Sequence, residues 1–329
     1  MKLQKKIATN KSLKKFNSLQ IDVRAKYFIK CKTDSDLEIA FNLIKKNKIK
    51  FLVLGEGTNI VFKKSYEGIV IKNEFKKEKK IIKNKIKVSS GYNWDRFVSF
   101  CIKNSLYGLE NLSGIPGSIG AGPIQNIGAY GEEISDYIEH VEVFNFKTGN
   151  TEILNNKNCS FAYRNSFFKK NKHLFIKNIF FKLRENFIAN NSYQDLKVYK
   201  FKKASEIRKN ILKVRKQKLE NHLSRPNVGS FFKNPLIKKK DLKKLLSQEP
   251  DLKFYSHNSS IKVSAAWLIE KCNLKGLQIN KAHVSKKHSL VLINEDKSAI
   301  SIIKLKDKIK KTVLKKYNIK LEEEPTIVQ

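Results

Sequence analysis

No apolar run in this sequence approaches the roughly 18 residues that a membrane-spanning helix requires, so no transmembrane segment is expected. Cysteine is scarce. Cys31, Cys101, Cys159 and Cys272 lie far apart, and none forms a CxxC pair. That spacing excludes a zinc motif and a dense disulfide framework, and it predicts a cytoplasmic chain with no metal site. The six histidines are equally scattered. The start, Met1–Ile7, is basic with no apolar stretch behind it, so no secretory leader is expected. Acidic side chains are few: 30 Asp and Glu face 68 Lys and Arg, for a formal net charge of +38.

That charge invites a nucleic-acid reading. Yet the lysines run from Lys2 to Lys320, and an excess of Asn and Ile accompanies them. The three residues share A- and T-rich codons, so compositional drift enriches them together. No RNP, helix-turn-helix or zinc-finger signature accompanies the charge. The expectation is therefore no specific nucleic-acid partner, with a positive field that favours small anionic ligands such as dinucleotides and sugar diphosphates.

Hydrophobic residues make up 40% of the 329, enough for two or three domains with cores of their own. Periodicity predicts strands at Tyr27–Cys31, Phe51–Leu54, Ile60–Phe62, Ile69–Ile71 and Ile86–Ser89, then at Val141–Phe146, Leu174–Leu183 and Ser289–Ile293. Helices are predicted from a cap at Asp34 or Ser35 to Ile44, over Trp94–Lys103 and Ser205–Leu219, over Asp241–Ser247 and Ala265–Cys272, and near Ser298–Tyr317. Residues 184–205 read as an exposed connection around Tyr193. The order is α+β with mixed strands.

Gly55-Glu56-Gly57-Thr58-Asn59 follows a strand, as a phosphate-binding turn does. Ile60 stands where a dinucleotide fingerprint has its third glycine, and the chain goes on as a strand. On its own the segment reads first as a β-turn and second as an anion nest. Gly108–Gly131 is more specific. Gly108, Gly114, Gly117, Gly120, Gly122, Gly128 and Gly131 are half of the chain's 14 glycines, with Pro116 and Pro123 among them. Such density costs backbone entropy on folding, and close approach of main chain to a bulky anion is a reason to tolerate it. Ser118, Gln125 and Asn126 offer hydrogen bonds there; a purely structural loop stays open as the alternative. Arg164, beside Tyr163 at an expected strand end, is a planar cation suited to a carboxylate. Ser230 lies in Val228–Pro235, with no GxSxG elbow to make it a nucleophile. Glu322, Glu323 and Glu324 read as a solvated acidic run.

Taken in order, GEGTN at Gly55, IPGS…PIQNIGAYG at Ile115–Gly131, YRNS at Tyr163, GSFFKNP at Gly229 and LVLINED at Leu290–Asp296 resemble the UDP-N-acetylenolpyruvoylglucosamine reductases. The resemblance runs from about Leu13 to Val328, in the form of the family with a tyrosine loop, here Tyr193. It implies a two-part FAD-binding module of the vanillyl-alcohol-oxidase/PCMH type plus a smaller α+β substrate-binding domain. The implied parts are residues 1–72, completed by the tail 320–329, then 73–204, and the substrate domain 205–319.

The resemblance further implies non-covalent FAD held by Gly55, Glu56, Gly57, Thr58, Asn59, Pro116, Gly117, Ser118, Gln125, Asn126 and Gly128. NADPH would be the co-substrate. Tyr163, Tyr193, Arg215, Lys218 and Asn234 would bind UDP-N-acetylglucosamine enolpyruvate, with Arg164 and Glu324 stabilising charge and Ser230 donating a proton. The product would be UDP-N-acetylmuramate for peptidoglycan synthesis, and the protein a cytoplasmic monomer. The sequence departs from the family pattern at Ala162, Asn165, Lys287, His288 and the tail Glu322–Thr326. The rival readings are a flavin-dependent oxidase of related fold and a basic nucleic-acid-binding protein.

Overall fold

A computed structural model describes residues 6–77, 79–257 and 260–329; the basic start Met1–Lys5 lies outside them. The chain divides into two compact units. The described part of the first comprises residues up to Lys11, Arg24–Gly57 and Tyr66–Arg215, and the second Ser12–Val23, Thr58–Ser65 and Lys216–Gln329.

In the first unit, β1 (Ile7–Ser12), β2 (Arg24–Cys31), β3 (Phe51–Leu54) and β5 (Tyr66–Asn73) form a four-stranded sheet in the order β1-β2-β5-β3. β5 pairs parallel to both β2 and β3, so α1 (Asp34–Asn47) is the crossover that parallel strands require. The cap of α1 is Thr33, not Asp34 or Ser35. Its hydroxyl accepts from the Asp36 N–H, and the Asp36 side chain accepts from the Thr33 N–H. This reciprocal pair satisfies two donors that a helix start leaves open, which decides the boundary by one residue. Leu37, Ala40 and Ile44 then recur at helical spacing and pack against Ile29, Ile69, Ile71, Phe144 and Phe175.

The second sheet of this unit is antiparallel, in the order β11-β10-β12-β7-β6. Its strands are β6 (Lys79–Ile82), β7 (Lys85–Ser89), β10 (Ile138–Asn145), β11 (Thr151–Asn155) and β12 (Leu174–Lys182); a small hairpin, β8 (Gly128–Ala129) and β9 (Glu132–Glu133), precedes β10. Between β7 and the hairpin lies α2 (Trp94–Lys103), with Asn93 as its cap. Trp94, Phe97, Val98 and Cys101 form its buried stripe and pack with Ile86, Val88, Ile179 and Phe181. The short α3 (Phe167–Lys170) precedes β12. The connection after β12 is tied down by Leu196, which is fully buried with Ile207 and Ile211 of α4 (Ala204–Lys218).

In the second unit, β13 (Leu236–Ile237), α5 (Lys239–Gln248), β14 (Phe254–His257), β15 (Ser260–Val263) and α6 (Ala265–Lys271) come first; β13, β15 and β14 form one small sheet. β16 (Gln278–Ile279), β17 (Ala282–Val284) and β18 (Leu292–Asn294) form another, followed by α7 (Ala299–Tyr317), which buries Ile302, Leu305, Ile309 and Val313. The strand expected at Ser289–Ile293 starts three residues later. Ser289 turns its hydroxyl to Glu270, and the Leu290 carbonyl is taken by the Phe231 N–H, so neither residue enters the β17 ladder. The chain closes with β19 (Thr326–Val328), parallel to β4 (Ile60–Phe62).

Candidate active site

The first unit carries Gly55–Gly57 and the long glycine-rich loop. Gly57, at φ +71°, ends the turn after β3 in a conformation that glycine adopts freely. The long loop is seated on the turn between β7 and α2. Gly120 N–H donates to the Ser90 carbonyl and Ile119 N–H to that of Tyr92, both at 2.8 Å; Trp94 N–H donates to the Gly117 carbonyl at 2.9 Å. The Trp94 indole N–H reaches the Leu112 carbonyl at 2.9 Å. Ile119 is fully buried, and Ile115, Ile124 and Ile127 pack on the same core.

Gly114, at φ +72°, is held on both sides. Its N–H donates to Asp95 Oδ1 at 2.6 Å, and its carbonyl accepts from Arg215 Nε at 3.1 Å. Arg208 closes the clamp with a two-pronged bond to Asp95, at 2.5 and 2.8 Å. Burial alone would push the Asp95 carboxyl up; the Arg208 guanidinium and the Gly114 N–H outweigh it and hold Asp95 below the usual carboxylate range. Burial lowers Arg215, which the Tyr130 hydroxyl partly offsets. Arg215 thus ties this loop together at Gly114 and at Tyr130, whose ring meets the exposed Tyr193 edge-on at 5.3 Å.

Two further observations fit a cofactor cradle. Among the described residues the buried Ser118 hydroxyl has no hydrogen-bond partner, and a buried donor is rarely left so without a reason. A Cβ built on Gly55 would meet that hydroxyl at 2.8 Å, so the turn and the loop approach each other as closely as a bare backbone permits. Pro116 is exposed and Gln125 half-buried in the loop. The Asn126 amide is engaged inside it, donating to Glu133 Oε2 at 2.6 Å and accepting from the Ser135 N–H at 3.1 Å.

Arg164 is not at a strand end. It occupies a tight turn at φ +50°, between Ala162 and Asn165, which exchange both main-chain bonds at 3.0 Å. Its guanidinium lies 5.4 Å from the centre of the Tyr163 ring, and one N–H donates to the Gly128 carbonyl at 2.6 Å.

The second unit brings Ser230 and the acidic tail together through main chain. Asn227 Oδ1 accepts from the N–H of Gly229, whose φ of +73° turns the chain into Ser230. Ser230 bridges Val291, and Phe232 bridges Glu323. The Glu324 N–H donates to the Phe231 carbonyl at 2.9 Å, and the Lys233 N–H to that of Glu322 at 3.0 Å. Phe231 and Phe232, both buried, anchor this strip. The tail also reaches the GEGTN turn: the Thr326 N–H donates to the Asn59 carbonyl at 3.1 Å, while Thr58 beside it is half-buried.

Lys218 closes α4 as an exposed cation. Asn234 Oδ1 accepts from the first N–H of α6 at 3.0 Å. His288 accepts the Leu290 N–H at Nδ1. Its proton therefore sits on Nε2, and burial holds the imidazole below its ordinary pKa.

Asn93, Asp95 and Arg208 escaped the sequence reading, although an Asn directly before an apolar periodic run is a cap signal.

An α+β fold with a glycine-lined cradle, in a region that matches an FAD-binding family model, marks the chain as a flavoenzyme. The family model described as an FAD binding domain matches residues 25–155, and the chain is an FAD-containing oxidoreductase. A second model, the C-terminal domain of UDP-N-acetylenolpyruvoylglucosamine reductase, matches residues 217–328. The reductase of that name from Buchnera aphidicola subsp. Baizongia pistaciae is 40% identical, over 96% of this chain and 98% of its own. That of Neisseria gonorrhoeae is 36% identical over 94% of each. A crystal structure of the Thermus caldophilus reductase matches the fold with a TM-score of 0.70 at 21% identity, covering 98% of both chains. The chain belongs to the UDP-N-acetylenolpyruvoylglucosamine reductase family. Among the described residues no helix is long and apolar enough to cross a membrane.

Proposed function

We propose that this chain reduces UDP-N-acetylglucosamine enolpyruvate to UDP-N-acetylmuramate with NADPH, as a peptidoglycan precursor enzyme. Two separate observations support the reading: in the first unit Gly55 closely approaches the buried Ser118 hydroxyl, and in the second unit main-chain bonds hold the strip that carries Ser230 and Glu324. Bound FAD supplies a hydride acceptor for NADPH and a hydride donor for C3 of the enolpyruvyl group.

The chain's own residues handle charge and protons. Gly55–Asn59 and the loop residues Pro116, Gly117, Ser118, Gln125, Asn126 and Gly128 hold the cofactor. Hydride arriving at C3 leaves negative charge at C2, delocalised into the substrate carboxylate. Arg164, as a cation, and Glu324, as a protonated acid donating its O–H, polarise that carboxylate where the charge develops. The Ser230 hydroxyl gives its proton to C2 and regains one from water; an enolate of a carboxylate is basic enough to take it. Tyr163 and Tyr193 flank the substrate, while Lys218 and Asn234 hold its nucleotide diphosphate and Arg215 assists. The parts 1–72 with 320–329, 73–204 and 205–319 divide these tasks between two cofactor pieces and one substrate domain.

The enzyme acts as a cytoplasmic monomer with no specific nucleic-acid partner. Its excess lysines then bind duplex DNA only through phosphates, so any binding falls steeply with salt and ignores sequence. The test of the central reading is consumption of NADPH that depends on UDP-N-acetylglucosamine enolpyruvate. Oxidation of NADPH by oxygen alone, with no dependence on that substrate, overturns it.

A further inference from the structure

Asn93 does more than a helix cap needs. Its Oδ1 accepts from the Arg96 N–H at 3.1 Å and so starts α2. Asp, Ser or Thr would serve that purpose as well, because capping calls only for an acceptor. An Asn side chain also carries two amide N–H donors, and here they are used. Nδ2 lies 3.1 and 3.2 Å from the two carboxylate oxygens of Glu56, in the turn after β3, and 3.5 Å from the Gly117 carbonyl, in the long loop. Main chain reinforces the second link, since Asn93 and Ser118 form an isolated antiparallel bridge. One amide thus joins the start of α2 to both glycine-rich segments at the place where Gly55 and Ser118 come closest.

We propose that Asn93 is a positioning residue for the flavin: it sets the spacing of the two cofactor segments and holds the Glu56 carboxylate. The proposal rests on the reading that those segments hold FAD. Glu56 is exposed, and a carboxylate free to swing beside a diphosphate site repels the ligand it should admit. Pinned by an amide, it becomes part of the frame. Because the Gly55–Ser118 approach has no slack, a small shift of the turn closes or opens the cradle.

The test uses the FAD-loaded enzyme and measures flavin release on dilution by the rise in flavin fluorescence. Asn93→Ser keeps an oxygen for the cap and removes both amide donors, leaving a shorter hydroxyl that does not reach Glu56; FAD affinity should fall about tenfold, the equivalent of one hydrogen bond to a charged group. Asn93→Asp keeps the cap and places a second carboxylate against Glu56, so the loss should be roughly tenfold greater again. In Asn93→Asp/Glu56→Gln the donor and acceptor are exchanged, and affinity should return to within about threefold of wild type for a restored bond. Helical content by circular dichroism should stay constant throughout.

Wild-type retention of FAD in Asn93→Asp overturns the proposal. If Gly55→Val still releases FAD in that case, the cofactor site itself stands and the role of Asn93 alone is wrong. If Gly55→Val retains FAD as well, both readings fall. Weakened single variants with no recovery in the exchanged pair also overturn it, because Glu56 is then not the partner.

Discussion

Glu323 sets its carboxylate 2.8 Å from the Lys310 ammonium and 3.1 Å from that of Lys306, both on α7. Lys306 is buried, and Glu323 is held below the usual carboxylate range because the Lys310 and Lys306 partners outweigh the upward push of burial. The middle glutamate of the tail therefore faces a helix, while Glu322 pairs with Lys233 at 3.0 Å. Glu324→Gln should severely slow substrate reduction, Glu322→Gln should be intermediate, and Glu323→Gln should leave turnover nearly unchanged. Glu323→Gln should instead lower stability by about 1 kcal/mol, as loss of a half-buried ion pair does. Thermal melts beside single-turnover kinetics separate the two effects. Severe kinetic loss in Glu323→Gln, with Glu324→Gln unaffected, would shift the functional carboxylate by one residue.

Ser230→Ala should separate the two half-reactions. Reduction of the enolpyruvyl group should slow by roughly 10² to 10⁴, the range for losing a positioned general acid. Flavin reduction by NADPH should keep its wild-type rate, since no proton goes to C2 in that step. Equal losses in both halves under stopped flow mean that Ser230 shapes the site and does not protonate.

The purified protein should be yellow, and heat or acid should release its FAD into the supernatant. The long loop offers neither His nor Cys for a covalent link. Colour that stays with acid-precipitated protein contradicts a non-covalent site.

Asp95 ties stability to pH. Its folded pKa lies below the unfolded value near 3.9. The Asp95–Arg208–Gly114 clamp thus stabilises fully above that value, and the contribution disappears as pH falls through the depressed pKa. The difference in melting temperature between wild type and Asp95→Asn should be largest at neutral pH and shrink toward acid. A difference that is constant down to pH 3 places the stabilisation elsewhere.

Much of this was legible in the sequence, where signals are local. The glycine density of 108–131 marked the loop, and the apolar periods of 94–103 and 299–317 marked their helices. Local signals failed where distant partners decide. Thr33 caps α1 because Asp36 reaches back to it, which periodicity does not register. Arg164 looked like a strand end, yet the Ala162–Asn165 exchange folds it into a turn. The acidic run Glu322–Glu324 resembled solvated surface. Two lysines on α7 and the strip at Phe231–Lys233 order it, and none of these lies near it in sequence. The clamp on Gly114 draws on residues 95, 208 and 215, a set that only the folded chain assembles.

The parallel pair β4–β19 joins Ile60 to Thr326, so an early strand waits for one made near the end of synthesis. During translation β4 therefore presents unpaired main chain, flanked by apolar side chains, for as long as the intervening residues take to emerge. At a typical 5–20 residues per second this exposure lasts roughly 13 to 53 seconds. Thr326 bonds to Asn59, and Glu324 lies two residues before it. The Asn59 carbonyl therefore gains its Thr326 partner only once the tail has emerged. Glu324 emerges two residues before Thr326, so it meets its Phe231 partner at the same late stage.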